Sequence, residues 1–437
     1  MRRRQALRIA AGFGAATALS TRAAADRGVA RTNWQFATDD RVSASPTIVE
    51  DTVFVGSEDH RLYALDATTG ARRWAVRTDG AIHASPMVVD GVAVVATGAG
   101  TVCGIDAIEG RRVWTYQTSG PVGASPLVVG EHVIIAGENG IISAIHVPSG
   151  RARWQVDTGG PIGASPILVG DTVYAGGGDA AVYAFDYMTG DQHWRVDIGQ
   201  WVLASPTVAD DTLYVGGASD SVFGVETAGG DRRWTFDAGD LVLSSPTVAD
   251  DTVFVGGVLD VVSAIDAETG RLQWTFRTGD GDDRVYAIDA AAGTESWSVD
   301  TRGTVDSSPT VVDNRVIVGS RDGTIRALDA DSGAEQWVVE TGGAVNSSPT
   351  VADGTVYVGS ADGRCYAIDA GVAGASVDSR VRLGTLGHHD RRYSPPPSPQ
   401  RTVTHGTHTS TRLALAAGLG GVATAVSAVA NWMDNTG

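Results

Sequence analysis

Two cysteines, nine histidines and a large surplus of carboxylates are the residues of this chain best equipped for chemistry. Their spacing gives them little to do together. Cys103 and Cys365 are too few and too far apart for a disulfide framework. His60, His83, His132, His146 and His193 read as surface or turn histidines in different units, with no ligand spacing between them. His388, His389, His405 and His408 fall in a Ser-, Thr- and Pro-rich tail that offers only weak metal capture. Asp280-Gly281-Asp282-Asp283 and the run Asp329 to Glu335 faintly resemble oxygen-rich cation loops. Neither supplies a complete Ca²⁺ ligand set, and both read better as turns. No nucleophile–base arrangement and no Gly-rich phosphate loop stands out, so no catalytic residue and no metal site is assigned.

The elements that would position such residues repeat. Trp occurs at 34, 74, 114, 154, 194, 234 and 274, six consecutive intervals of 40, and again at 297 and 337. Ser-Pro pairs keep the same beat at Pro46, Pro86, Pro126, Pro166, Pro206 and Pro246, and resume at Pro309 and Pro349. Two independent residue types at one period of about 40, with short apolar runs between turns, mark four-stranded propeller blades. Each unit offers four strand-length pieces: one after Ser-Pro, a TVYVG type of run, a YAID type of run, and a segment starting at Trp. Asp353-Gly354 and Asp362-Gly363 are tight-turn signals between such pieces. The runs are apolar at consecutive positions, as in Val253-Phe254-Val255, which is how strands covered on both faces read. Trp34, Trp74, Trp114, Trp154, Trp194, Trp234, Trp274, Trp297 and Trp337 are therefore expected to be structural, each burying about 150–250 Å² between neighbouring blades.

The motif A-x-D-x-x-T-G-x-x-x-W, seen in Ala264 to Trp274, together with S-P-T-V and V-Y-V-G, resembles the pyrroloquinoline-quinone-type propeller repeat. That repeat is shared by quinoprotein dehydrogenases and by BamB-like scaffold proteins, and the resemblance covers Trp34 to Gly371. It implies an all-β, eight-bladed β-propeller of four-stranded antiparallel blades. Ser-Pro pairs count eight units but A-x-D-x-x-x-G turns count nine. The discrepancy lies between Trp274 and Trp297, where 17 residues that would carry two strands are missing. One irregular half-unit is thus expected near 275–296, and the N-terminal strand at Trp34 is expected to complete the last blade and close the ring. A quinone-dependent dehydrogenase of this family would bind pyrroloquinoline quinone with calcium and would need neighbouring cysteines over the quinone. Cys103 and Cys365 fall in different blades, and repeats of 40 leave no room for long insertions. No cofactor is therefore expected outside that alternative.

One column breaks the repetition. Two residues before the Ser of each Ser-Pro-type pair the units read Ser43, His83, Gly123, Gly163, Leu203, Leu243, Asp306 and Asn346, while neighbouring columns hardly vary. In a propeller of this type the column would enter the innermost strand near the central channel, where convergent loops usually bind ligands. Trp201 is the one tryptophan of the ring outside the repeated slot. Ser43, His83, Trp201, Asp306 and Asn346 form the candidate ligand-binding rim.

Charge bears on environment. The net charge is −18, and all 33 basic residues are Arg. Residues 34–371 hold 20 of those Arg against 47 of the 51 acids, a net −27, between ends that are net positive. Such a surface repels nucleic acid and anionic headgroups. Residues 1–25 read as a twin-arginine-like export signal, with RRRQALRIAAGFGAATAL ahead of Ala23-Ala24-Ala25. An acidic, Lys-free body behind such a signal is similar to secreted or surface proteins of halophilic archaea. Residues 372–412 read as a flexible linker, and 413–430 as a candidate C-terminal membrane anchor. The sequence therefore points to an exported, extracellular or surface-bound monomer that binds a protein, peptide or glycan partner without catalysis. The alternatives are the quinone-dependent dehydrogenase and a partly degenerate repeat protein without activity.

Overall fold

At Asp353-Gly354 both residues take positive φ, 46° and 70°, and Asp90-Gly91 repeats the pair at 47° and 74°. These are the angles of a two-residue turn whose twist matches its flanking strands. The turn pairs the short strand Thr350–Ala352 with Thr355–Ser360, which returns through a second hairpin to Arg364–Asp369. In the first complete unit the corresponding strands are Thr47–Val49, Thr52–Ser57, Arg61–Asp66 and Arg72–Arg77. The turn into the fourth strand is fixed by Asp66, whose side chain accepts from the Thr69 amide at 2.9 Å and whose carbonyl accepts from the Gly70 amide at 2.8 Å. The second and third strands are buried almost throughout, and the outermost fourth strand alternates exposed and covered residues.

The computed structural model describes residues 31–375 except 219, 240, 243, 250, 258, 259, 280–282 and 373, together with the strands Leu413–Ala417 and Val429–Ala430. The export signal at 1–25 and nearly all of the linker at 372–412 lie outside the described residues. The described residues form nine four-stranded antiparallel sheets and no helix. Eight sheets come from the eight complete units, the last of them completed by the N-terminal strand Thr32–Ala37 against Arg364–Asp369.

Adjacent blades interlock through the repeated Trp. The Trp34 indole donates to the Ala67 carbonyl of the next blade at 2.9 Å, and Trp74, Trp154, Trp194, Trp234, Trp297 and Trp337 donate likewise to the residue 33 positions on. Trp114 is the exception: its indole nitrogen has no hydrogen-bond partner among the described residues, and the residue 33 positions on is Val147, followed by Pro148. The glycine of each turn lies against the preceding Trp. A Cβ on Gly110, at φ 69°, would stand 2.5 Å from Cγ of Trp74. Inner strands join the ring as well: the Thr47 hydroxyl donates to the Pro86 carbonyl, and Thr350 closes the circle onto Pro46 at 3.0 Å.

The half-unit keeps a place of its own in this ring. Trp274 donates to Ala290 only 16 positions on, at 2.9 Å, and Gly293 lies against the Trp274 ring as its counterparts do. Its strands Arg284–Asp289 and Glu295–Asp300 are the outer half of the ninth sheet. Leu413–Ala417 pairs with Arg284–Asp289, with Ala287 opposite Leu415, and Val429–Ala430 pairs in turn with Leu413–Ala417. Both ends of the stretch expected as a membrane anchor are thus strands of the ring, and no helix among the described residues is long and apolar enough to cross a membrane.

Candidate functional site at the channel rim

Each fourth strand except Leu272–Arg277, which runs into the half-unit, leads into a link that crosses one end of the ring and enters the next innermost strand. Within the link, residues alternate between two environments. Val42, Ile82, Val122, Val202, Val242, Val305 and Val345 are buried. Most press against second-strand ends held by glycine, where a Cβ on Gly216 would lie 2.8 Å from Val242, while Ala96 takes that place beside Val122. This contact pins the link, so the residue after each buried Val or Ile must face the open rim. Backbone bonds hold it there, including the Glu58 amide to the Arg41 carbonyl and the Glu138 amide to the Pro121 carbonyl, both at 2.9 Å. The variable column is therefore a ring of outward side chains on a rigid base.

The column divides into arcs. Asp306, Asn346, Ser43 and His83 occupy four successive links and make a polar arc. Ser43 Oγ donates to Glu58 Oε1 at 2.5 Å, and His83 Nδ1 stands 3.8 Å from the same oxygen. One carboxylate thus bridges two links. The histidine faces Glu58 rather than the hydroxyl, so Ser43 is not set up as a nucleophile with His83 as its base. Asp306 is bound by Arg321, with Nε 2.5 Å from Oδ2; burial pushes its carboxyl up, and the guanidinium draws it back. Asn346 is exposed. Gly123 and Gly163 separate this arc from an apolar one, where Trp201 is 60% exposed, Leu203 42% and Leu241 39%. Trp201 and Leu241 hold the same slot in neighbouring links. The candidate rim is therefore not one cluster: Trp201 lies with the leucines, apart from Ser43, His83, Asp306 and Asn346. Leu243 belongs to the same column but lies outside the described residues.

Sequence reading missed Glu58, Arg321 and Leu241. Glu58 and Arg321 share a second variable column, just after the second strand, which reads Glu58, Gly98, Glu138, Gly178, Ala218, Val258, Arg321 and Ala361. Comparing units there would have exposed them.

The remaining chemistry-bearing residues are elsewhere. Cys103 and Cys365 are free and buried between blades, and burial pushes both thiols up, that of Cys365 to about 12. The expectation that the histidines fall in different units fails for His132 and His146. They face each other on adjacent strands of one blade, their rings 5.4 Å apart, because the second and third strands of that unit place them in register. Desolvation, then Arg153 and His146, depress the His132 pKa. Among the described residues no group of three or more His, Cys, Asp or Glu is arranged to hold a metal ion.

The sequence profile described as outer membrane protein assembly factor BamB matches residues 22–178, 138–240, 178–282 and 275–379. No curated protein matches the chain. Among solved structures, BamB from Moraxella catarrhalis superposes with a TM-score of 0.58 at 22% identity, covering 78% of this chain and 100% of that one. The quinohemoprotein alcohol dehydrogenase from Comamonas testosteroni gives 0.58 at 17% identity, covering 78% and 76%. The computationally designed Ika8 protein gives 0.56 at 15%, covering 76% and 96%. At these identities the likeness is one of fold alone. The residues here do not fit the quinone group: the two cysteines are buried in third strands of different blades and cannot form a neighbouring pair beside a rim ligand.

Proposed function

From the premise that the chain belongs to the family of the outer membrane protein assembly factor BamB, we propose that it is an exported, non-catalytic binding or scaffold protein. Its channel rim would take a protein, peptide or glycan partner at the cell surface. The observation that carries this reading is the exposed apolar arc of Trp201, Leu203 and Leu241 on a ring whose other large apolar side chains are mostly packed between blades. Exposed apolar groups gathered at one place on a rigid base mark interaction sites. Export is supported by residues 2–25, and a salt-rich setting by the acidic, Lys-free composition.

The test is capture of surface proteins in high salt by the purified full chain and by the triple variant Trp201→Ala, Leu203→Ser, Leu241→Ser. We expect a partner retained by the parent and lost, at least tenfold, by a variant with unchanged circular dichroism and melting. Equal capture by both would overturn the reading, as would a hydrolase or oxidase activity abolished by His83→Ala or Asp306→Asn. Incubation with pyrroloquinoline quinone and Ca²⁺ is expected to leave no bound chromophore; a bound one would favour the dehydrogenase instead.

A further inference from the structure

The apolar arc is bordered by charge of one sign. The fourth strands of the third, fourth and fifth complete blades end in Asp157, Asp197 and Asp237, where the first and second end in Arg77 and Gln117. All three aspartates are exposed. Each uses Oδ1 to accept from the amide two residues on, at Gly159, Gly199 and Gly239, each at 2.8 Å. None of the three is in an ion pair among the described residues. In the polar arc the strands also end in acids, Asp300 and Glu340, but cations stand among the carboxylates there: Asp306 is paired with Arg321 and, at the same end of the ring, Asp39 with Arg61.

Trp201 and Leu241 each follow one of these aspartates by four residues, a chain reach of at most about 14 Å. Leu203 leans toward the link that begins at Asp157, its Cδ2 lying 3.8 Å from where a Cβ on Gly163 would stand. Moving outward along the link from the fourth to the fifth blade, a ligand would meet Leu203, then Trp201, then the Asp197 carboxylate. A nucleic acid or anionic surface would be repelled there. A neutral glycan could stack on Trp201 but would leave all three carboxylates without a counter-charge. A basic, apolar peptide meets both features at once.

We propose that this sector of the rim, Leu203, Trp201 and Leu241 bordered by Asp157, Asp197 and Asp237, docks a segment of a partner protein that carries large apolar side chains flanked by Arg or Lys. The proposal rests on the binding-protein reading above and names its partner's chemistry. Apolar contact supplies the anchor, and the carboxylates select sign and speed encounter.

The experiment is calorimetric titration of the full chain with three synthetic twelve-residue peptides and one neutral oligosaccharide. The peptides alternate Arg with Leu and Trp, Glu with Leu and Trp, or Arg with Ser. We expect the Arg/Leu/Trp peptide to bind at least tenfold more tightly than the others. Its affinity should fall severalfold between 0.2 and 2 M NaCl, as the screening length shrinks below the spacing of neighbouring charges. Trp201→Ala should cost at least tenfold. The triple variant Asp157→Asn, Asp197→Asn, Asp237→Asn should weaken binding severalfold and flatten its salt dependence. The control Glu109→Gln, Asp191→Asn, Glu268→Gln, on turns at the opposite end of the ring, should change neither. Equal effects of the two charge variants would overturn the proposal by showing a diffuse attraction to an acidic protein. So would binding of the Glu peptide or of the oligosaccharide alone. If a captured partner depends on Trp201 while the basic peptide fails, only this inference falls; if capture is also indifferent to Trp201, the binding-protein reading falls with it.

Discussion

Gly110 shows how much a single hydrogen atom matters in this ring. The residue has φ 69°, and its missing Cβ is the space that the Trp74 ring fills. Gly91 has nearly the same conformation, φ 74°, but nothing stands within 4 Å of its missing Cβ. Alanine at either site carries the left-handed penalty of about 1–2 kcal/mol, and at Gly110 it must also displace the indole. We therefore expect Gly110→Ala to lose at least twice as much stability as Gly91→Ala in urea unfolding, and equal losses would show that the Trp contact is slack. The Trp and Gly of each unit were legible because the same local need recurs in every unit. Glu58 is different: it joins Ser43 to His83 at one junction only, so it marks itself by departing from its column rather than by repeating in it.

At the scale of elements, the strands and turns followed from the sequence because hairpin signals such as Asp353-Gly354 dictate their own geometry. The source of the missing half-blade did not. Leu413–Ala417 and Val429–Ala430 carry none of the Ser-Pro or Val-Gly grammar, since strand pairing draws on backbone groups that every residue supplies. The anchor reading of 413–430 and the pairing of Ala287 with Leu415 demand different conformations of the same residues. A chain ending at residue 412 should therefore melt several degrees below the full chain, and a synthetic peptide of residues 413–430 should restore part of the loss. Identical melting of the two chains would remove the tail from the ring. The full chain should also stay in the supernatant when lipid vesicles are sedimented, whereas an anchor would carry it down.

For the whole molecule, the net charge is dominated by a ring carrying −27. Self-repulsion of that size opposes the compact state and is screened by salt, with a Debye length of about 10 Å at 0.1 M and about 3 Å at 1 M. The melting temperature should rise by several degrees from 0.1 to 1 M NaCl, and an unchanged value would mean that the carboxylates are already balanced locally. The all-β ring was legible at this scale because two residue types shared one period, and the BamB profile and the superposed propellers agree with it. The division of the rim was not, because it depends on which links become neighbours once the chain closes on itself.

The docking of each glycine turn onto the Trp of the unit before it gives the ring a direction. A unit emerging during synthesis finds its seat already made, so assembly can advance in step with the growing chain. Two pieces must wait: Arg284–Asp289 lacks its inner partner until Leu413–Ala417 is made, and Thr32–Ala37, the first piece made, has no partner until Arg364–Asp369 appears, more than 300 residues later. Through that interval the molecule is an open arc with an unpaired edge at each end, prone to pair with another such arc. Its time of greatest vulnerability to aggregation is therefore set by the ribosome, and ends only when the final blade is complete.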